Sequence, residues 1–226
     1  MVQKKPVRIF IVDDHPLIRR GMHHLFAEET ALQICGEAAS ASKSLAAIKR
    51  CSPDLVILDI NLPDGSGLDL IEGILRQWPQ LPILVCSVYE ERFFAERALR
   101  AGARGYVSKL ETEEHLVKAV RKILAGKLYL SSALTERLLL QNLVAGGARQ
   151  FASPIDKLSD RELQVFEQIG AGHSTAEIAE RLNLSVKTIE THRAHTKQKL
   201  NLKNSAELTR YALQWSLQFN HQILSD

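Results

Sequence analysis

Between residues 7 and 126 short apolar runs alternate with longer stretches whose apolar residues recur at helical spacing, and few folds accommodate that rhythm. Val7 to Val12, Leu32 to Ala38, Leu55 to Leu58, Pro82 to Cys86 and Gly105 to Val107 read as strands. Helices are expected to start near Pro16, Ser42, Gly67, Arg92 and Glu111, with Gly102 and Gly126 as C-terminal caps. Strand–helix–strand alternation implies a parallel sheet with helices on both faces, a doubly wound five-stranded α/β domain. The ligand site of such a sheet lies at the carboxyl ends of its strands, near the point where strand order reverses.

The rest of the chain follows a different pattern. Ser131 to Val144 is helical in spacing, and Ala145 to Pro154 is rich in Gly, Ala and Ser without periodicity, as a linker would be. After Asp156 four helices follow, about Asp160 to Gly170, Ser174 to Leu182, Ser185 to Leu200 and Ser205 to Leu217, and no strand pattern returns. The tight Leu182-Asn183-Leu184 joint is that of a helix-turn-helix. At roughly 100–200 residues per domain, 226 residues leave room for two modest domains. No apolar run approaches the ~20 residues of a membrane span. The N-terminal apolar stretch meets Asp13 and Asp14 after six residues, short of the about 7–15 of a signal-peptide core, so a cytoplasmic protein is expected. Cys35, Cys51 and Cys86 are odd in number and widely spaced, and read as reduced thiols.

Chemistry collects where the strands end. Asp13 and Asp14 follow the first strand, Asp59 the third, Ser87 the fourth, Ser108 and Lys109 the fifth. Three carboxylates brought together repel unless a cation joins them, and hard oxygen ligands with open positions suit Mg²⁺. Lys109 and the Ser87 hydroxyl then offer a charge and a donor to an incoming anion such as a phosphoryl group.

Val12-Asp13-Asp14-His15-Pro16, Leu58-Asp59-Ile60-Asn61-Leu62-Pro63-Asp64-Gly65-Ser66-Gly67 and Gly105-Tyr106-Val107-Ser108-Lys109 resemble the receiver domain of bacterial response regulators, over residues 5–127. The resemblance implies a flavodoxin-like fold with Asp59 as phospho-acceptor, and Asp13, Asp14, Asp59 and the backbone carbonyl of Asn61 as Mg²⁺ ligands. Ser87 and Lys109 would contact the phosphoryl group, Tyr106 would be the aromatic switch, and Asn61 and Tyr89 would tune dephosphorylation. For Tyr106 a half-buried core aromatic is an equal reading of the residue itself.

From Ser185 to Lys203 five basic residues (Lys187, Arg193, Lys197, Lys199, Lys203) stand against one acid, Glu190, in a chain whose net charge is only +3. A solvated basic face or a nucleic-acid surface would produce this. Ser185 can cap the third C-terminal helix, and Val186, Ile189 and Leu200 can pin it to the second. Lys187, Glu190, Thr191 and Ala194 then project toward the major groove, Lys187 for a phosphate or guanine and the others for base edges, while Arg193, Lys197 and Lys199 are placed for phosphates, His192 for packing or a phosphate, and Thr188 and Lys203 complete the DNA-binding set. Leu158 to Glu162, Thr175 to Ala179 and Leu184 to Arg193 resemble the LuxR-type DNA-binding domain. Together with a receiver in front, the chain resembles NarL/FixJ-type response regulators: receiver 5–127, linker 128–156 with a helical first half, helix-turn-helix domain 157–220.

The resemblance implies a sensor histidine kinase and double-stranded promoter DNA as partners, a homodimer when phosphorylated, no membrane association, and no enzyme activity beyond Mg²⁺-dependent self-phosphorylation and autodephosphorylation at Asp59. The apolar face of the last helix, Leu208, Tyr211, Ala212, Trp215 and Leu217, would supply part of a dimer surface. Two other classes compete. A phosphatase of the haloacid dehalogenase type also uses a strand-end Asp with Mg²⁺, but needs a second Asp two residues on, where Asn61 stands. A phosphorylation-independent DNA-binding protein with a degenerate receiver would not need the complete acidic set.

Overall fold

The computed structural model describes residues 5–88, 91–111, 113–144 and 154–220, and the chain divides into two compact units, 1–144 and 145–226. In the first unit strands β1 (Val7–Val12), β2 (Leu32–Ala38), β3 (Leu55–Leu58), β6 (Ile83–Ser87) and β7 (Gly105–Ser108) form one parallel sheet in the order β2-β1-β3-β6-β7. A two-residue hairpin, β4 (Asn61–Leu62) and β5 (Gly65–Ser66), follows β3. The helices are α1 (Pro16–Ala27), α2 (Ala41–Cys51), α3 (Gly67–Gln77), α4 (Glu91–Ala101), α5 (Glu113–Leu124) and α6 (Ser132–Val144).

The period of two decides which side chains meet which helices. Ile9, Ile11, Leu55, Ile57, Leu84, Cys86 and Val107 share one core with Met22 and Phe26 of α1 and Leu116, Val117 and Val120 of α5. Intervening residues such as Phe10, Val12, Val56, Leu58 and Val85 are buried on the other face, which α2 and α4 contact. Both faces are covered, so the central strands read as unbroken apolar runs; at about 1.5–3 kcal/mol per buried side chain they dominate the unit's stability. Order reverses between β1 and β3, and the crevice beyond their carboxyl ends is where Asp13, Asp14 and Asp59 stand.

The segment after α5 returns to the sheet. The Tyr106 amide donates to the Tyr129 carbonyl (3.0 Å) and the Tyr129 amide to that of Arg104 (3.0 Å), which pairs the outer edge of β7.

The second unit contains a 3₁₀ turn (Pro154–Lys157) and helices α7 (Asp160–Gly170), α8 (Thr175–Arg181), α9 (Val186–Lys199) and α10 (Ser205–Asn220). Ser159–Glu162 and Ser174–Glu177 are complete capping boxes that start α7 and α8, and the Ser185 hydroxyl accepts the Thr188 amide to start α9. Phe166 meets Trp215 edge to face at 5.3 Å between ring centroids and Tyr211 at 5.9 Å. Leu208, Ala212 and Trp215 are therefore core, and of the face expected for a dimer surface it is Leu217 that stands exposed, beside Leu213. Val186 does not pin α9 as expected: it is 47% exposed on the first turn, whereas Ile189 is fully buried where α9 packs on α8. No helix among the described residues is long and apolar enough to cross a membrane.

Candidate functional site

Backbone bonds between neighbouring strands fix the ends that carry the acids. The Asp13 amide donates to the Ala38 carbonyl (3.0 Å), the Asp59 amide to Val12 (2.8 Å) and the Lys109 amide to Ser87 (2.8 Å). Register places Ser87 opposite Ser108. The side chains that follow thus meet at one edge.

There the Lys109 ammonium lies 2.6 Å from Asp59 Oδ2 and 2.7 Å from Asp13 Oδ2, all three side chains almost wholly buried. Asp59 Oδ1 accepts the Asn61 amide at 3.1 Å, so both of its oxygens are oriented. Burial pushes the Asp59 carboxyl above its ordinary range and the Asp13 charge adds to this, while Lys109 opposes. Burial works against the charged form of Lys109, but Asp59 and Asp13 outweigh it and hold the ammonium above its usual value. Ser87 and Tyr106 are both buried; Tyr106 is 1% exposed, a full core aromatic rather than a half-buried one.

Asp13, Asp14, Asp59 and His15 offer ligand atoms that all lie within 4.8 Å of one another. Three carboxylates against one ammonium leave a formal charge of −2, which a divalent cation neutralises, and hard oxygens are the donors Mg²⁺ takes. The set fits that ion. Tyr89 lies outside the described residues.

Two supports were not legible in the motifs. Arg19 Nη1 donates to the Asp13 carbonyl at 2.7 Å while its Nε bonds Glu37 at 3.0 Å, tying α1 to the end of β1. Asp64, at the tip of the β4–β5 hairpin, accepts the Ala41 and Ser42 amides (2.7 and 2.9 Å) and caps α2 from a distance. Burial raises its carboxyl, but these amides and the Ser42 side chain hold it below its ordinary range.

Gly67 opens α3 directly against the site. A Cβ there would stand 2.5 Å from the Asp59 carbonyl oxygen and from Ile60 Cα, contacts that only backbone movement relieves. Gly67→Ala is expected to cost about 2–3 kcal/mol by overpacking and to displace Asp59; denaturant unfolding of the variant measures it. A variant as stable as the natural chain would show that α3 has room to shift.

In the second unit the α8–α9 joint turns at Asn183, whose φ of 52° is left-handed, with the Leu184 amide closing on Ala179 at 2.9 Å. Along α9, Lys187, Glu190, Thr191 and Ala194 are exposed on one face. Thr188, His192, Arg193 and Lys197 are half-buried beside it, and Lys203 is exposed beyond the helix end. The hydroxyl of Thr188 is engaged with that of Ser185 (2.8 Å), and the hydroxyl of Thr191 donates to the Lys187 carbonyl (3.0 Å). Burial holds the His192 imidazole below its usual value, against the pull of Glu162. Lys199 has a partner within the protein: its ammonium donates to Glu162 Oε2 at 2.7 Å. Glu162, 3% exposed, also accepts the Ser159 amide at 2.7 Å.

Residues 9–121 match the response regulator receiver domain and residues 156–212 the bacterial regulatory proteins of the luxR family. The chain is 33% identical over 207 residues to the response regulator GacA of Pseudomonas aeruginosa, covering 92% of this chain and 95% of that one. It is 34% identical over 214 residues to the oxygen regulatory protein NreC of Staphylococcus carnosus, covering 93% and 99%. Among solved structures it is similar to RcsB of Salmonella enterica serovar Typhimurium bound to promoter rprA in the presence of phosphomimetic BeF3-, with a TM-score of 0.59 and 25% identity over 92% of this chain and 98% of that one. Both halves of the molecule match in the same order as in these proteins, and the chain belongs to the NarL/FixJ-type response regulators, a receiver domain followed by a LuxR-type DNA-binding domain.

Proposed function

We propose that the chain is a phosphorylation-controlled transcription regulator, in which Asp59 takes a phosphoryl group from a sensor histidine kinase and α9 reads promoter DNA. The receiver role falls to residues 5–127 and DNA binding to 157–220, with 128–156 between them. The observation that carries the reading is the Lys109 ammonium shared between Asp13 and Asp59 at the strand ends.

A carboxylate oxygen of Asp59 attacks the phosphorus of a phosphohistidine; the P–O bond forms as the P–N bond breaks, and the imidazole leaves on the kinase. Asp13, Asp14, Asp59 and the Asn61 carbonyl would hold Mg²⁺, which when bound offsets the negative charge on the phosphoryl oxygens. Lys109 supplies a positive charge to the product and the Ser87 hydroxyl a hydrogen-bond donor. Both are drawn toward the new dianion, which favours a second packing around Tyr106. Water cleaves the acyl phosphate and returns the carboxylate, with Asn61 and Tyr89 setting the rate.

On DNA, Lys187, Thr188, Glu190, Thr191 and Ala194 meet base edges, and His192, Arg193, Lys197 and Lys203 the phosphates. One helix-turn-helix reads few base pairs, so the active species is a homodimer on paired half-sites. Kinase and promoter place its work in the cytoplasm.

The test is affinity for a duplex recovered by binding selection, with and without a small acyl-phosphate donor and Mg²⁺, alongside sedimentation. Phosphorylation is expected to raise occupancy and the dimer fraction together; a hundredfold gain needs only about 2.7 kcal/mol of differential stability. A phosphorylated chain that stays monomeric with unchanged affinity would overturn the reading.

A further inference from the structure

We propose that Cys35 and Cys51 are a dithiol that closes to an intramolecular disulfide on meeting a low-molecular-weight disulfide such as oxidised glutathione, a modification site at the edge of the receiver sheet.

A bulge brings the two cysteines together. β2 is an edge strand, and its register on β1 slips between Ile9 and Phe10: Ile34 pairs with Ile9 and Gly36 with Phe10, so Cys35 is the extra residue. The slip reverses the alternation of side chains. Before it, Leu32 and Ile34 pack into the core shared with α1 and α5; after it, Glu37 bonds Arg19 and His23 of α1. Residues 34 and 37 thus share a face, and Cys35 and Gly36 between them both fall on the opposite one, where α2 packs on β2.

Cys51, the last residue of α2, stands on that face. Its Sγ would lie 2.7 Å from a Cβ on Gly36, so the glycine next to Cys35 leaves the space that the second thiol fills. The Arg8 guanidinium donates to the Cys51 carbonyl from Nη2 at 2.6 Å and from Nε at 3.2 Å, which fixes the helix end and sets a cation beside the pair. Cys35 and Cys51 are both half-buried, whereas Cys86 is buried and its thiol is pushed up to about 12, out of exchange.

Burial raises the Cys35 thiol above its ordinary value and the neighbouring Cys51 thiol adds to this, with Arg8 opposing. Cys51 therefore attacks first and Cys35 resolves. The Cys51 sulfur bonds to one sulfur of the reagent as the reagent's S–S bond breaks, and the first small thiol leaves with the Cys51 proton. The Cys35 sulfur then bonds to Cys51 Sγ as the mixed disulfide breaks, and the second small thiol leaves with the Cys35 proton; two protein thiols are oxidised and one small disulfide is reduced. Asp64 already holds the start of α2, so the closed form ties that helix at both ends.

Reduced full-length protein is treated with oxidised glutathione, quenched in acid, and read by intact mass and by non-reducing tryptic digestion. The natural chain is expected to lose the mass of two hydrogens, to yield peptide 21–43 joined to peptide 51–76, and to return to its starting mass with dithiothreitol. Cys35→Ser should stop at one glutathione on Cys51, since the resolving thiol is gone, and Cys86→Ser should close the disulfide as the natural chain does. Serine is nearly isosteric with cysteine, so both variants are expected to fold, and the peptide map of the natural chain decides without them. Glutathione on both cysteines with no link between them, a link to Cys86, a disulfide between two copies of the chain, or no reaction overturns the pair.

Discussion

Asp59→Asn is expected to gain no phosphoryl mass after treatment with a small acyl-phosphate donor and Mg²⁺, whereas the natural chain gains one group. The amide is isosteric but uncharged, and far less nucleophilic than a carboxylate. Its oxygen can still accept the Asn61 amide, now held at 3.1 Å, and Lys109 keeps Asp13 at 2.7 Å. The fold should therefore survive. The pKa direction gives a second readout. For a buried carboxyl whose folded pKa lies above its unfolded value, ionisation costs the folded state, and stability falls as pH rises from the unfolded value through the folded one. Removing the charge removes that cost, so the variant's Tm at neutral pH is expected at or above that of the natural chain. Intact-mass spectrometry and calorimetry check the two halves separately. A normal phosphoryl mass gain on the variant would move the acceptor elsewhere, to Asp13 or Asp14 first.

Much of this site was legible before any coordinates because strands announce themselves by composition. β1, β2 and β3 have the bounds read from their apolar runs, and an acid immediately after such a run lies at the sheet edge by topology alone. What the pattern could not carry is contact between distant residues. The β4–β5 hairpin has two residues per strand, too short for any periodicity, and its effect on α2 runs through Asp64 across more than twenty positions. Asn183 and Asn201 stop α8 and α9 in left-handed conformations that Asn tolerates, a C-cap signal carried by a residue other than Gly. His15 stands in the motif after β1 without a role of its own, and only distances show its ring beside Asp14. Val186 fits the apolar spacing of α9 but sits on its first turn, where no helix covers it.

Lys199 is the sharpest case. A lysine at the end of a basic helix reads as a phosphate contact, and the structure gives it instead to Glu162, 37 residues away. Burial raises the Glu162 carboxyl, but Lys199 and the Ser159 cap outweigh it and hold it below the ordinary 4.5. A depressed carboxylate contributes stability above its unfolded pKa and loses it as pH falls through the folded value. Glu162→Ala is therefore expected to cost the second unit about 2–3 kcal/mol at neutral pH, roughly 1 from the cap and roughly 1 from the pair, with the remainder from packing. The Lys199 side chain is 40% exposed, which keeps the pair's share small. As pH falls from the ordinary carboxylate range through the depressed folded value, the gap between variant and natural chain should narrow, since the protonated carboxyl no longer holds the ammonium. DNA binding separates the two roles of the lysine. Lys199→Met should weaken binding by loosening α9 on α7 while leaving the slope of log affinity against log salt unchanged, whereas a lost phosphate contact lowers that slope by about 0.9. Salt titrations of both proteins on one duplex decide it, and a slope reduced by a full contact would return Lys199 to the phosphate backbone.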